Sequence, residues 1–170
     1  MTTPIIPVLP TVSFTTANTS SPESVGGASS VTVTATLIGA ATTAVIVPIS
    51  YAGSAILGMD YSFTGGGAPS SITIPVGSTS WTASFSVLND NTYEPNETVT
   101  LAMGTPSGAT LGANSTFTHT ITNDDVIPIV SFNGVNSTII EGNVGSSRAV
   151  FVSATLSNAS SADVIVPITF

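Results

Sequence analysis

The side chains with evident chemical potential in these 170 residues are nine carboxylates, set against a single basic residue, Arg148, one histidine and no cysteine, for a formal charge of -8. Seven of them, Glu23, Asp60, Asp90, Glu94, Glu97, Asp124 and Asp125, fall between residues 11 and 125, always in a turn or at the end of a patterned run. Asp90-x-x-x-Glu94-x-x-Glu97 brackets Pro95 between two strongly patterned segments, and Asp124-Asp125 closes a third. Carboxylates gathered without Lys or Arg repel one another and favour a hard cation. Oxygen-only ligands in turns, with backbone carbonyls at hand, suit Ca²⁺ better than zinc or a soft metal. The competing reading is that these are solvated loop acids.

Other chemistries are poorly served. The lack of cysteine removes thiolate nucleophiles, zinc-thiolate sites and disulfides together. Paired carboxylates are the equipment of glycoside hydrolysis, but acids in turns, without a cleft and with 6% aromatic residues to hold a sugar, point to a protein that is not an enzyme. His119 alternates with Phe117 and Ile121 and has no nucleophile motif beside it, so it reads as structural, facing inward or at the rim. Trp81 lies on the apolar face of its run and reads as core rather than as a sugar platform.

Composition excludes further classes. One Arg and no Lys cannot neutralise phosphates, which leaves no nucleic-acid partner. With 42% hydrophobic and 6% charged residues and a mean hydropathy of +0.49, the chain is unlike ordinary disordered sequence. No run approaches the roughly 18 apolar residues of a membrane span, so no membrane insertion is expected. Met1-Thr2-Thr3-Pro4 has neither the basic nor the apolar region of a secretory signal, so an extracellular location is read with no export signal present in the chain.

The elements that must position the acids are strands. In Val31-Thr32-Val33-Thr34-Ala35-Thr36-Leu37 every odd position is apolar and every even one is Thr. The same alternation recurs in 81–87, 99–103 and 117–122. Residues at i and i+2 share a face in a strand but not in a helix. Gly/Pro/Ser clusters such as Gly65-Gly66-Gly67-Ala68-Pro69 separate the runs. Short strands at this spacing predict an all-β, immunoglobulin-like antiparallel β-sandwich of about seven strands.

A repeat organises the chain. Pro10-Thr11-Val12-Ser13-Phe14 returns as Pro128-Ile129-Val130-Ser131-Phe132, and Glu23 as Glu141, at an offset of 118. Val45-Ile46-Val47-Pro48-Ile49-Ser50-Tyr51 returns as Val164-Ile165-Val166-Pro167-Ile168-Thr169-Phe170 at an offset of 119. The expected organisation is a Pro-rich lead or linker over 1–10 (Pro4, Pro7, Pro10), a complete unit over 11–125, and the first three strands of a second unit over 126–170. Those three strands would expose apolar faces and unpaired edges unless a longer tandem array or another copy completes them.

The spaced runs Thr73-Ile74-Pro75-Val76-Gly77-Ser78, Asn89-Asp90-Asn91-Thr92-Tyr93-Glu94-Pro95-Asn96-Glu97, Pro106-Ser107-Gly108-Ala109-Thr110-Leu111-Gly112 and Ile121-Thr122-Asn123-Asp124-Asp125, with Gly58-Met59-Asp60-Tyr61, together resemble a Calx-β domain across residues 11–125. The resemblance implies a seven-stranded sandwich with a Ca²⁺ site at one end, as in the regulatory domains of sodium/calcium exchangers. It also implies Glu23, Asp60, Asp90, Glu94, Glu97, Asp124 and Asp125 as the metal ligands. Exchanger-type sites are richer in Asp; here Asn89 and Asn91 flank Asp90 and Asn123 precedes only two Asp. One or two Ca²⁺ ions are therefore expected, bound with the roughly 10⁻⁴–10⁻³ M affinity of extracellular modules.

The leading functional expectation is a repeat module of a secreted or cell-surface bacterial adhesin or matrix protein, with Ca²⁺ stiffening the domain end and the junction that begins at Val126-Ile127-Pro128. Its partners would be neighbouring repeats of the same chain. One alternative is a self-assembling extracellular filament, with strands 129–170 completing a neighbouring copy of the chain. The other is a carbohydrate- or protein-binding module that takes a surface glycan or protein ligand with its loops.

Overall fold

The computed structural model describes residues 8–23, 29–134, 138–145 and 147–169. Pro4 and Pro7 of the Pro-rich lead lie outside the described residues. The chain divides into two compact units, Met1–Asp90 with Pro95–Asp124, and Asn91–Glu94 with Asp125–Phe170.

The first unit is a sandwich of two five-stranded sheets. One runs β10 (Thr110–Leu111), β1 (Thr11–Phe14), β3 (Ser29–Ile38), β7 (Ser80–Val87), β5 (Tyr61–Phe63). The other runs β2 (Asn18–Pro22), β11 (Thr116–Thr122), β9 (Glu97–Met103), β4 (Val45–Ala52), β6 (Ser71–Ile74). The alternation decides which side chains meet between them. Val31, Val33, Ala35 and Leu37 of β3, Val45 and Val47 of β4, Val99, Leu101 and Met103 of β9 and Phe117 and Ile121 of β11 are all buried. Each large apolar side chain so buried contributes about 1.5–3 kcal/mol. Phe85, fully buried, packs at ring-centroid distances of 5.6 Å from Tyr61 and 5.5 Å from Phe63.

The expected all-β sandwich is observed, but more finely divided than seven strands. The first run breaks at Thr15–Ala17 and changes sheets. β1 pairs antiparallel with β3, whereas β2 pairs parallel with β11, Asn18 opposite Thr118. Two-residue β10 adds parallel to β1.

In the second unit, β12 (Val130–Phe132) pairs antiparallel with β13 (Ala154–Leu156). β14 (Ala159–Ser160) pairs parallel with β8 (Thr92–Tyr93), which comes from the segment between Asp90 and Pro95. Asn158 Nδ2 donates to the Val126 carbonyl at 2.6 Å and Ser157 N–H to that of Ile129 at 3.0 Å. Val164–Ile168, the repeat copy of β4, forms no strand. β4 owes its ladder to β6 and β9, and the described residues of the second unit include no counterpart of either. No helix occurs among the described residues, and so none long and apolar enough to cross a membrane.

Candidate metal centre

Backbone hydrogen bonds at the strand ends place the acids. Leu88 N–H, just past β7, donates to the Asp60 carbonyl at 2.8 Å. Glu23 N–H, just past β2, donates to the Thr122 carbonyl at the end of β11 at 3.0 Å. The turn before β9 is tied to the end of β11 by Asn96, whose Oδ1 accepts from Asn123 N–H at 3.1 Å. Asn89 Nδ2 donates to the Asp90 carbonyl at 2.9 Å. The turns that carry Glu23, Asp60, Asp90, Glu97 and Asp124 thus converge because the strands they follow or precede are locked in register.

The loop that presents Asp60 depends on a glycine. Gly53 holds φ at 119°, and a Cβ there would collide with the Thr98 carbonyl. This close approach lets Ala55 N–H donate to the Thr98 carbonyl and Thr98 N–H donate to Ser54 Oγ, each at 3.1 Å. Farther along, Ile56 N–H donates to Asp60 Oδ2 and Gly58 N–H, at φ 90°, to the Tyr61 carbonyl at 2.8 Å. Asp60 is held beside the start of β9, where Glu97 precedes Thr98.

Two carboxylate groups result within the first unit. Glu23 and Asp90 form one, and Asp60 and Glu97 the other; in each, one oxygen per residue lies within 4.8 Å of the other. Glu23 is 7% exposed, Asp90 is exposed, and Asp60 and Glu97 are half-buried. Two oxygens on one Ca²⁺, at roughly 2.3–2.6 Å each, are at most about 5 Å apart, so either group can close on such an ion. The donor set is all oxygen, without His or Cys, and fits a hard cation. Burial first, and then the Asp60 charge, raises the pKa of Tyr61. Of the seven residues implicated by sequence, Glu23, Asp60, Asp90 and Glu97 fall in these two groups; Asp124 is exposed and belongs to neither, and Glu94 and Asp125, both half-buried, belong to the second unit.

Sequence reasoning left out the residues that set this arrangement. Asn96 and Ser54 fix turns, a role their polar, turn-rich context signals only generically. His119, expected inward or at the rim, is 1% exposed and lies inside the sandwich, its ring nitrogens against Thr19 and Ser21. Trp81, expected as core, is half-buried and packs against the core's edge.

No sequence-family model matches the chain and no curated protein sequence matches it. Solved structures do. The apo-form Calx CBD1 domain superposes with a TM-score of 0.57 at 21% identity over 69% of this chain and 99% of that domain. The calcium-binding domain CBD12 of CALX1.1 gives 0.55 at 22% identity, covering 67% of this chain and 44% of that one. The Calx CBD2 domain gives 0.53 at 17% identity over 86% of its length. The shared feature is the Calx-β sandwich fold.

Proposed function

We propose that the chain is a non-enzymatic Ca²⁺-binding module of a secreted or cell-surface bacterial protein, an adhesin or matrix stalk. In this reading Glu23, Asp60, Asp90, Glu94, Glu97 and Asp125 hold one or two ions, with Asp124 beside them. The observation that carries it is the meeting of Glu23 with Asp90 and of Asp60 with Glu97 in a chain with one Arg and no Lys. A cation held by each group compensates the mutual repulsion of its carboxylates. The fold shared with calcium-binding domains supports the same reading.

The mechanical role follows from connectivity. The chain passes between its two units at Asp90–Asn91, Glu94–Pro95 and Asp124–Asp125. Asp124-Asp125 is followed by only Val126-Ile127 before Pro128 opens the second repeat, so an ion gripping the end of the last strand would restrain the chain there. Ca²⁺ would then stiffen the junction of a tandem array, with neighbouring repeats as partners.

Calorimetric and thermal titration of the whole chain tests this. For a Kd of about 10⁻⁴–10⁻³ M, 10 mM Ca²⁺ adds about 1.4–2.7 kcal/mol to stability, a melting-point rise of a few degrees that chelator reverses. An unchanged melting point and no binding heat at 10 mM Ca²⁺ would sink the reading. Solution scattering with and without the ion tests the stiffening separately.

A further inference from the structure

We propose that His119, clamped between Thr19 and Ser21, is a proton-operated latch on edge strand β2 that makes cation binding at Glu23 weaken as pH falls; the second half rests on the Ca²⁺ reading above. His119 sits mid-strand in β11 with its ring inside the sandwich, 1% exposed. Its Nδ1 lies 2.8 Å from Thr19 Oγ1 and its Nε2 3.1 Å from Ser21 Oγ, while Phe85 meets the ring edge-on at a centroid distance of 5.6 Å. A neutral imidazole satisfies both hydroxyls, one nitrogen donating and the other accepting.

An imidazolium there could donate to both hydroxyls but meets no countercharge. Among the described residues, β2 offers only hydroxyls, and β7 carries no titratable or charged group. β9 places Val99 opposite His119, and its one charged group, Glu97, stands opposite Ile121, one step farther along the same face. Burial accordingly holds the His119 pKa below its ordinary value.

The cheapest way to hydrate the charged ring is to lift β2. Among the described residues it is the last strand of its sheet, paired only with β11. Asn18, Ser20 and Pro22 are exposed, so Thr19 and Ser21 are the two side chains it turns inward, both onto His119. No apolar anchor holds the strand. Glu23 follows Pro22 directly and is kept in its carboxylate group through the Thr122 carbonyl, so release of β2 withdraws Glu23. Because the closed state binds the proton less readily than the open one, closure is complete above the ordinary His pKa of about 6.5 and is lost as pH falls below it. Proton and cation are then antagonists, each weakening the other by the same factor.

The test is Ca²⁺ titration of the full chain and of His119→Gln at pH 7.5, 6.5 and 5.5, with amide-exchange protection of Thr19–Ser21 measured without Ca²⁺ and corrected for intrinsic rates. Wild type should lose roughly tenfold in affinity across this range, the equivalent of one pKa unit, with β2 protection falling in parallel; the Gln variant should lose less than about threefold. Equal slopes in the two proteins overturn the latch. If Ca²⁺ does not bind even at pH 7.5, the cation reading fails while β2 protection still decides the latch. If the Gln variant does not fold, constant β2 protection in wild type between pH 7.5 and 5.5 overturns it.

Discussion

Near-identical strand sequences meet opposite fates in the two units. Val12 and Phe14 are 0% and 1% exposed, whereas their repeat copies are half-buried Val130 and Phe132, the latter 54% exposed. Leu37 is 6% exposed and Leu156 42%; Val45 and Val47 are 0% and Val164 and Val166 43% and 46%. Alternation states which face a strand will bury, but burial needs a second sheet. In the first unit each sheet covers the other, and the described part of the second unit has no counterpart of β6, β7, β9 or β11, which help to build both sheets. Its Val130, Leu156, Val164 and Val166 line an open groove instead.

The sharpest way to break this comparison is a matched pair of truncations. Leu37→Ala empties a filled site and should cost about 2–5 kcal/mol. Leu156→Ala removes a side chain already in contact with water and should change stability by no more than about 0.5 kcal/mol. Urea unfolding followed by far-ultraviolet circular dichroism reads the strands of both units, and Trp81 fluorescence reads the first unit alone. Equal losses from both truncations would mean that Leu156 is as well covered as Leu37.

What was legible follows the same line. The runs at 31–37, 99–103 and 117–122 show their buried face because Thr alternates with large apolar residues, and each is a strand as read. β2 was invisible because Asn18-Thr19-Ser20-Ser21-Pro22 has no apolar member; it is a strand through its parallel ladder with β11, where His119 supplies the partner for its hydroxyls. The pairing of β8 with β14 was equally hidden, two residues from a turn meeting two from a loop. The carboxylates stood out because charge is so scarce, yet the meeting of Glu23 with Asp90 and of Asp60 with Glu97 depends on strand-end geometry that no spacing encodes.

A second substitution sharpens the contrast from within the first unit. Gly53→Ala should cost about 1–3 kcal/mol through its positive φ, and the collision with the Thr98 carbonyl adds to that. The loop to Asp60 must then shift away from β9. Weakened Ca²⁺ binding together with lowered stability is expected, whereas a binding isotherm like wild type's would show that the loop does not set the carboxylate group.

The repeat supplies its own control for the acids. Glu23 is buried in a carboxylate group, while its copy Glu141 is exposed. Glu23→Gln should weaken Ca²⁺ binding by about tenfold or more, the loss of one charged ligand being worth roughly 1.5–3 kcal/mol. It should also abolish most of the Ca²⁺-induced rise in melting point. Glu141→Gln should leave both untouched, and an equal effect at the two positions would mean that the units share their chemistry.

The smallest expected effect comes from a difference the repeat already contains, Tyr51 in the first copy and Phe170 in the second. Tyr51 donates its hydroxyl to the Pro69 carbonyl at 2.8 Å and meets Phe63 edge-on at 5.7 Å. Tyr51→Phe keeps the ring contact and removes one hydrogen bond, a loss of about 1 kcal/mol. Burial, and secondarily Tyr61, raises its pKa to about 12, so the folded chain holds the phenol proton more tightly than the unfolded one. That contribution is fully present below the ordinary Tyr value of about 10 and declines as pH rises from there toward the raised one. Wild type should therefore lose stability more steeply than Tyr51→Phe between pH 9.5 and 11.5, and parallel profiles would place the alkaline sensitivity elsewhere, with Tyr61 the next residue to substitute.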